Sequence, residues 1–449
     1  MLAFGSASQS PFADDPKTLL LEVRKKILFT LKVLPKYLCT ETAERSMMSP
    51  AAPVCHVSCD DLAAQKKRSA LKLRETESDR LRLAVAVSGD SEMYSWVGED
   101  RFENPRLADL VKNGATSGGS FATLLASIFG TNNARFSYNG NVNVSGTEFA
   151  EFGFVVPLEK SNYTVGNNMR HAVVGYGGTF RVDIPTLNLQ RLTVYVAQLP
   201  QEIGACDDMT VLDYGTVRLN GSEILLPKSV QLQVVNSDGS ELDNHTSFSG
   251  CRELKQLSTF DSGGVSAPAD AGNRTARTDL ALPSGLSFTV VLTQPIKTAS
   301  AAAGDITEMK LKQAIRDTRK QKLAAENSEI TARILQVERF YGLLAPEVQS
   351  LRVGIELETI KLAGLTYSFH GNLDSMAIRR AAPLDNAANH ETLGQAERMI
   401  RRADPGIVVN EKLLSLHDIG TGYLLFDDVK FDYVIDAGFK IKGKTATRP

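Results

Sequence analysis

The chain has 449 residues, 43% of them hydrophobic, which is enough for two or three domains that each bury a core. Its 50 basic and 52 acidic residues leave a formal charge of -2, which argues against a dedicated nucleic-acid binder with its basic excess or stripe. Five cysteines are too few for a disulfide-framework protein, and their odd number leaves at least one outside any intramolecular bridge.

Residues 1–14 read as a disordered N-terminus without a basic n-region or an apolar run of signal-peptide length. From Asp15 to Leu34, Leu19, Leu20, Val23, Ile27, Leu31 and Leu34 recur at spacings of three and four, giving an amphipathic helix stopped by Pro35. The run Ile27 to Leu34 is far short of the roughly 20 apolar residues that cross a bilayer, so no transmembrane segment is expected. On this reading the chain is cytosolic, or its start lies downstream of the true one.

Strands follow. Leu81, Leu83, Val85 and Val87 alternate with Arg80, Arg82, Ala84 and Ala86, and Ser88-Gly89-Asp90 turns the chain toward Tyr94 and Trp96. A short helix is predicted over Phe121–Phe129 with Ser120 as N-cap. Strand pairs are predicted at Ala134–Val144 with Thr147–Pro157, and at Thr210–Leu219 with Glu223–Val235, before a last strand ending near Cys251. Between these pairs, Thr179 to Val196 reads as a hairpin with Phe180, Val182, Leu192, Val194 and Val196 on its apolar side and Arg181, Asp183, Arg191 and Thr193 opposite.

The expected fold class is mainly β, in two domains. Residues 15–257 form an antiparallel meander with one long helix, and 258–281, poor in large apolar residues, form a linker. Residues 282–449 form a second β domain, with Leu286, Phe288, Val290 and Leu292 on one face of one strand and Leu351, Val353, Ile355 and Leu357 on one face of another. A mobile insertion near 375–405, partly helical around Glu391–Arg401, precedes strands at Gly422–Phe426 and Val429–Ile435.

The motifs that suggest chemistry have plainer readings. Asn113–Ser120, NGATSGGS, lacks the Gly-Lys-Ser/Thr end of a P-loop and reads as a turn and cap, and Gly175-Tyr176-Gly177-Gly178 feeds a strand instead of a helix. Cys55-His56-Val57-Ser58-Cys59 lacks the second ligand pair of a tetrahedral metal site, so a loop in which Cys55 and Cys59 bond to each other is preferred to a metal. The partner of Cys206 is left open. Gln65–Arg68, QKKR, reads as a solvated loop. Asp428, Asp432 and Asp436 read as the wet side of a strand and not as a calcium site. There is no G-x-S-x-G elbow, the histidines are scattered, and no catalytic residue, metal or cofactor is expected. Five N-x-S/T sequons begin at Asn143, Asn162, Asn220, Asn244 and Asn273, read as turn sequence.

Four segments together, LPKYLCTETAERS at Leu34–Ser46, RLRLAVAVSGDSEMYSWVGEDRFE at Arg80–Glu103, SGGSFATLLASIF at Ser117–Phe129 and SFSGCREL at Ser247–Leu254, resemble a group of uncharacterised, acidobacterial-type envelope proteins. Their core looks like the fold of the lipoprotein carrier LolA, a long helix laid across a curved antiparallel half-barrel, and FRVDIPTLNLQRLTVYV is similar to a hairpin common in that fold. Leu282–Asp305 with Gly438–Thr445 is similar to the β-barrel module of TrbI-type conjugation proteins, departing from it at Ala324–Ile334.

The resemblance implies a non-enzymatic envelope protein, periplasmic or secreted, binding a lipid, lipoprotein or other hydrophobic ligand in the half-barrel. Trp96, Phe180, Leu192, Val194 and Val196 are then the candidates for the cavity wall or the core. The alternative is an assembly protein meeting other envelope proteins through packed β domains. A meander curled into a half-barrel brings Cys39 and Cys251 together, which implies a disulfide; two buried free thiols are the alternative.

Overall fold

The computed structural model describes residues 15–254 and 278–443 apart from 280–286, 342–347, 384–405, 428–432 and shorter stretches of one to four residues. The expected disordered N-terminus, Cys55, the linker except Thr278 and Asp279, the helix at Glu391–Arg401, and Asp428 and Asp432 lie outside the described residues. The chain divides into two compact units, the first Met1–Arg74, Leu83–Ser95 and Glu99–Ser262, the second Glu75–Arg82, Trp96–Gly98 and Gly263–Pro449. The division is therefore not a single cut, because two short early segments, Trp96 among them, belong to the second unit.

The first unit opens with helix α1 (Pro16–Val33), which Asp15 caps by accepting the Lys17 N–H. The apolar spacing of this helix buries Leu19, Val23, Ile27 and Leu31, each contributing about 1.5–3 kcal/mol. Strand β1 (Tyr37–Pro50) follows, then helix α2 (Cys59–Lys67), β2 (Leu73–Ser88), β3 (Ser91–Trp96), the single-turn α3 (Leu107–Leu110) and α4 (Thr123–Phe129). Next come β4 (Arg135–Val144), β5 (Thr147–Val156), the small hairpin β6 (Thr164–Gly166) and β7 (His171–Val173), β8 (Tyr176–Asp183), β9 (Asn188–Tyr195), β10 (Ala205–Leu219), β11 (Ser222–Asn236) and β12 (Glu241–Glu253). The strands pair in the order β4-β5-β8-β9-β10-β11-β12-β1-β2-β3, so β1 closes on the last strand and returns the chain to its beginning.

Hairpin β8–β9 anchors the core. Phe180 stands opposite Leu192, stacks on Phe152 at 5.2 Å and meets Phe129 edge-on at 5.1 Å. On the other face Arg181 pairs with Glu151 and Arg191 with Asp213, the alternation that a half-buried strand pair requires. Val194 stands opposite Gly178, where a Cβ would lie 1.8 Å from the Thr193 carbonyl, so that position takes only glycine.

Local expectations change in several places. Ala84 and Ala86 are buried with Phe102, as Leu83, Val85 and Val87 are, so this part of β2 is covered on both faces and its alternation does not mark a wet side. Gln65–Lys67 end α2 instead of forming a loop. Cys59 opens α2 and bonds to Cys206 at the start of β10, which overturns a Cys55–Cys59 bridge; Ser58 caps the helix and commits Cys59 to it. Asn244 lies buried in β12, donating to the Ala115 carbonyl, and not in a turn. β22 (Gly371–Pro383, below) runs as strand through the start of the expected insertion.

The second unit, besides its pieces of β2 and β3, contains β13 (Thr278–Asp279), β14 (Ser287–Leu292), β15 (Ile296–Lys297), β16 (Ile306–Leu311), β17 (Ile315–Arg316), β18 (Lys322–Ala324) and β19 (Glu329–Tyr341). It continues with β20 (Val348–Leu362), β21 (Leu365–Ser368), β22, β23 (Gly406–Val409), β24 (Lys412–Asp418), β25 (Gly422–Asp427) and β26 (Tyr433–Gly443). The main order, β23-β24-β25-β20-β19-β16-β14-β26-β22, has two free ends among the described residues. An open order replaces the barrel-like closure expected for this part of the chain. Arg333, 2% exposed, is held by Glu358 and by the carbonyls of Val97 and Gly304 at 2.7 and 3.0 Å, the pairing that a buried guanidinium needs.

Cys39 and Cys251 are bonded, 212 residues apart in sequence. The register of β1 on β12 shifts between Leu38 and Thr40, and this bulge sets Cys39 against Cys251. The bond joins the first strand of the unit to its last, so Cys39→Ala with Cys251→Ala should lower the stability of the first unit by about 2–5 kcal/mol. A urea titration followed by tryptophan-independent circular dichroism reads this directly. An unchanged midpoint would mean that β1–β12 pairing alone holds the ends together.

A candidate hydrophobic cleft under the first helix

The C-terminal half of α1 does not lie flush on the sheet. Arg24 donates to the Phe129 carbonyl at the end of α4 and lies 5.4 Å over the Phe136 ring, while Lys26 donates to the Thr186 carbonyl in the β8–β9 turn. Held at these points, the helix leaves a cleft of about 620 Å³ beneath Ile27, Leu31 and Leu34. Phe121 and Leu125 form one wall, Leu187 and Leu189 of the β8–β9 turn another, and Tyr214, Leu219, Ile224 and Leu225 of β10 and β11 the floor. Leu187 sits in the left-handed region at φ 58°, a costly position for leucine that turns its side chain into the cleft wall. Lys26, Glu223 and Glu253 supply charge, and Phe29 and Val33, 65% and 56% exposed, also line the cleft.

Helix α4 is positioned by a carboxylate from another element. Glu92 on β3 is buried, and its Oε1 accepts the N–H groups of Phe121 and Ala122 at 2.9 Å and of Thr123 at 3.5 Å. Its Oε2 accepts the Tyr94 hydroxyl at 2.8 Å, and that hydroxyl accepts the Gly119 N–H at 3.0 Å. The sequence reading gave this cap to Ser120; Ala122 occupies the cap position with no side-chain bond, and Glu92 does the work from across the fold. Capping thus fixes Phe121, which meets Tyr37 at 5.8 Å and Phe248 at 4.6 Å, both edge-on.

Beneath the floor lies a buried polar cluster. Burial pushes the Glu41 carboxyl up to about 8, with the neighbouring Glu92 adding to the shift. Burial likewise raises Glu92, against the hydrogen bonds that hold it. Tyr37 and Tyr214 are raised first by burial and then by Glu92, and neither hydroxyl has a hydrogen-bond partner among the described residues. Tyr214 joins the two regions, its side chain lining the cleft and its hydroxyl buried.

Of the residues singled out from sequence, Phe180, Leu192, Val194 and Val196 are 0%, 0%, 1% and 4% exposed and line neither this cleft nor a second one at the other end of β10 and β11. They are core. Trp96 is half-buried in the second unit, its ring lying over Gly304 with no room for a Cβ between them. Cleft residues that the sequence reading missed include Phe29, Tyr214, Leu219 and Ile224. Phe29 and Val33 carried a signal, since they are large apolar residues off the buried stripe of an amphipathic helix. Among the described residues no group of three or more His, Cys, Asp or Glu could hold a metal, and no helix is long and apolar enough to cross a membrane.

No family model matches the chain, and no curated protein sequence matches it. Solved structures do show similarity over about half of it. A LolA superfamily protein from Nitrosomonas europaea is 9% identical, with 53% of this chain and 94% of that one covered and a TM-score of 0.26. An outer membrane lipoprotein-sorting protein domain from Vibrio parahaemolyticus is 12% identical, with 53% and 94% covered and a TM-score of 0.27. A DUF1329 family protein from Desulfovibrio piger is 11% identical, with 54% and 95% covered and a TM-score of 0.27. Likeness of this degree leaves the function to be read from the cleft itself.

The Glu41 carboxyl gives the first unit a pH dependence of definite sign. Between its ordinary value of 4.5 and about 8, the folded protein holds a proton that the unfolded chain has released. Stability from this group is therefore full below the lower value and falls, on the order of 1 kcal/mol per pH unit, as pH rises through the window. Urea midpoints of wild type and Glu41→Gln measured from about pH 5 to about pH 8 should converge at the acid end and separate toward the basic end, wild type being lower there. Parallel curves would show that Glu41 ionises normally.

Proposed function

We propose that the first unit is a non-enzymatic carrier that holds a lipid, or the acyl chain of a lipoprotein, in the cleft under α1, with its sheet curving round the helix as a half-barrel. The observation that supports this reading most directly is the cleft itself. Its volume of about 620 Å³ lies within the usual range for small-molecule sites, and its walls are leucine, isoleucine and phenylalanine. Phe29 and Val33 keep apolar surface at the cleft, where an acyl chain would cover it. Lys26, Glu223 and Glu253 offer polar contacts for a headgroup. Two disulfides fit an oxidising compartment, and the proposed setting is the periplasm or another extracytoplasmic space.

Native mass spectrometry of the exported protein should show co-purified lipid, and the delipidated protein should bind a dansyl-labelled fatty acid. Ile224→Trp, which fills the floor of the cleft from a half-buried position, should weaken that binding about tenfold or more while leaving the melting temperature near that of wild type. Absence of fatty-acid binding by delipidated, folded wild type would end the carrier reading.

A further inference from the structure

The second cleft, about 660 Å³, lies at the opposite ends of the same two strands and has different chemistry. Its apolar wall comes from Val165, Leu199, Leu232 and Val234. Asp208 on β10 supplies a carboxylate, and among the described residues no Lys, Arg or His lines the cleft. The Asp208 carboxylate makes no hydrogen bond or ion pair with another described residue, and Asp207, next to it in the strand, adds to the negative field. Thr210, which lines the cleft one strand repeat further on, is 3% exposed, and its hydroxyl makes no hydrogen bond of good geometry among the described residues. The Tyr163 hydroxyl lies beside both the Thr210 hydroxyl and the Asp208 carboxylate, whose charge helps to hold it protonated. The Cys59–Cys206 bond holds β10 two residues from Asp208, so the carboxylate stands on a fixed strand.

We propose that this cleft is a second binding site, for a primary ammonium group carried on an apolar body. The ammonium would pair with the Asp208 carboxylate and donate to the hydroxyls of Thr210 and Tyr163, each of which can accept; the apolar body would lie on the Leu232 and Val234 wall. Such a ligand supplies a counter-charge for a carboxylate partly removed from water and a donor for the buried Thr210 hydroxyl. The elevation of Asp208 to about 6, caused first by burial and then by Asp207, accords with a carboxylate in need of a cation. A lipid whose headgroup is only anionic would be repelled by this carboxylate, which separates the site from the cleft under α1.

Calorimetric titration of the delipidated full chain with octylammonium, octyltrimethylammonium and octanol at one ionic strength tests the assignment. Octylammonium should bind with one-to-one stoichiometry, about tenfold or more tighter than octanol, and the quaternary analogue, which has no N–H to donate, should fall between them. Asp208→Asn should abolish the preference for octylammonium over octanol. If that variant fails to fold, Val234→Trp, which occupies the apolar wall, should abolish octylammonium binding instead. Ile224→Trp in the first cleft should leave octylammonium affinity unchanged, whether or not that cleft binds fatty acid. Equal affinity for the amine and the alcohol in wild type, or loss of amine binding in Ile224→Trp, would overturn the proposal.

Discussion

The buried carboxylate of Glu92 is the contact on which the geometry of the first unit turns. Three backbone N–H groups at the start of α4 converge on one of its oxygens, and without it those of the buried Phe121 and Ala122 would lose their acceptor at about 1–3 kcal/mol each. The helix it caps is only seven residues long, too short to be stable by propensity alone. Through that cap Phe121 and Leu125 stand as one wall of the cleft, and through Arg24 the far end of the same helix receives α1. A carboxylate on a strand thereby determines where a helix starts, and the helix determines how far α1 can settle toward the sheet.

The cost of this arrangement appears around it. Glu41 and Glu92 are both raised by burial, and the hydroxyls of Tyr37 and Tyr214 have no hydrogen-bond partner among the described residues. A polar cluster under the floor of an otherwise apolar cleft is expensive, and the disulfide between β1 and β12 offsets it by constraining the unfolded chain. The second bridge ties α2 to β10 beside the other cleft. The first bond joins β1 to β12, the second holds β10, and the hairpin β8–β9 is held by aromatic packing instead.

Strand and helix positions were largely legible because they depend on periodicity. The stripe Leu19, Val23, Ile27 and Leu31 and the alternation through Phe180 and Leu192 mark their buried faces as plainly in sequence as in the fold. Where the reading failed, the deciding partner was remote in sequence. Ser120 is a reasonable cap by type, yet Glu92, 29 residues before Phe121, displaced it. Cys59 lies four residues from Cys55 but bonds 147 residues away, because a helix starts at it and presents it to β10. Leu192, Val194 and Val196 could have faced a cavity or a core, and alternation alone cannot distinguish the two, since both demand an apolar face.

By itself, the sequence determined that this is a mainly β chain with one long amphipathic helix, because hydrophobic period and turn residues act locally. It also contained, in Phe29 and Val33, apolar residues that the helix's own stripe did not use. Only the tertiary structure decided that the space beneath α1 stays open, that Glu92 holds its wall, and that Asp208 stands in a second cleft without an ion-pair partner among the described residues. These depend on how far apart packed elements come to rest, and that distance is set by contacts between residues tens to hundreds of positions apart, which no local pattern encodes.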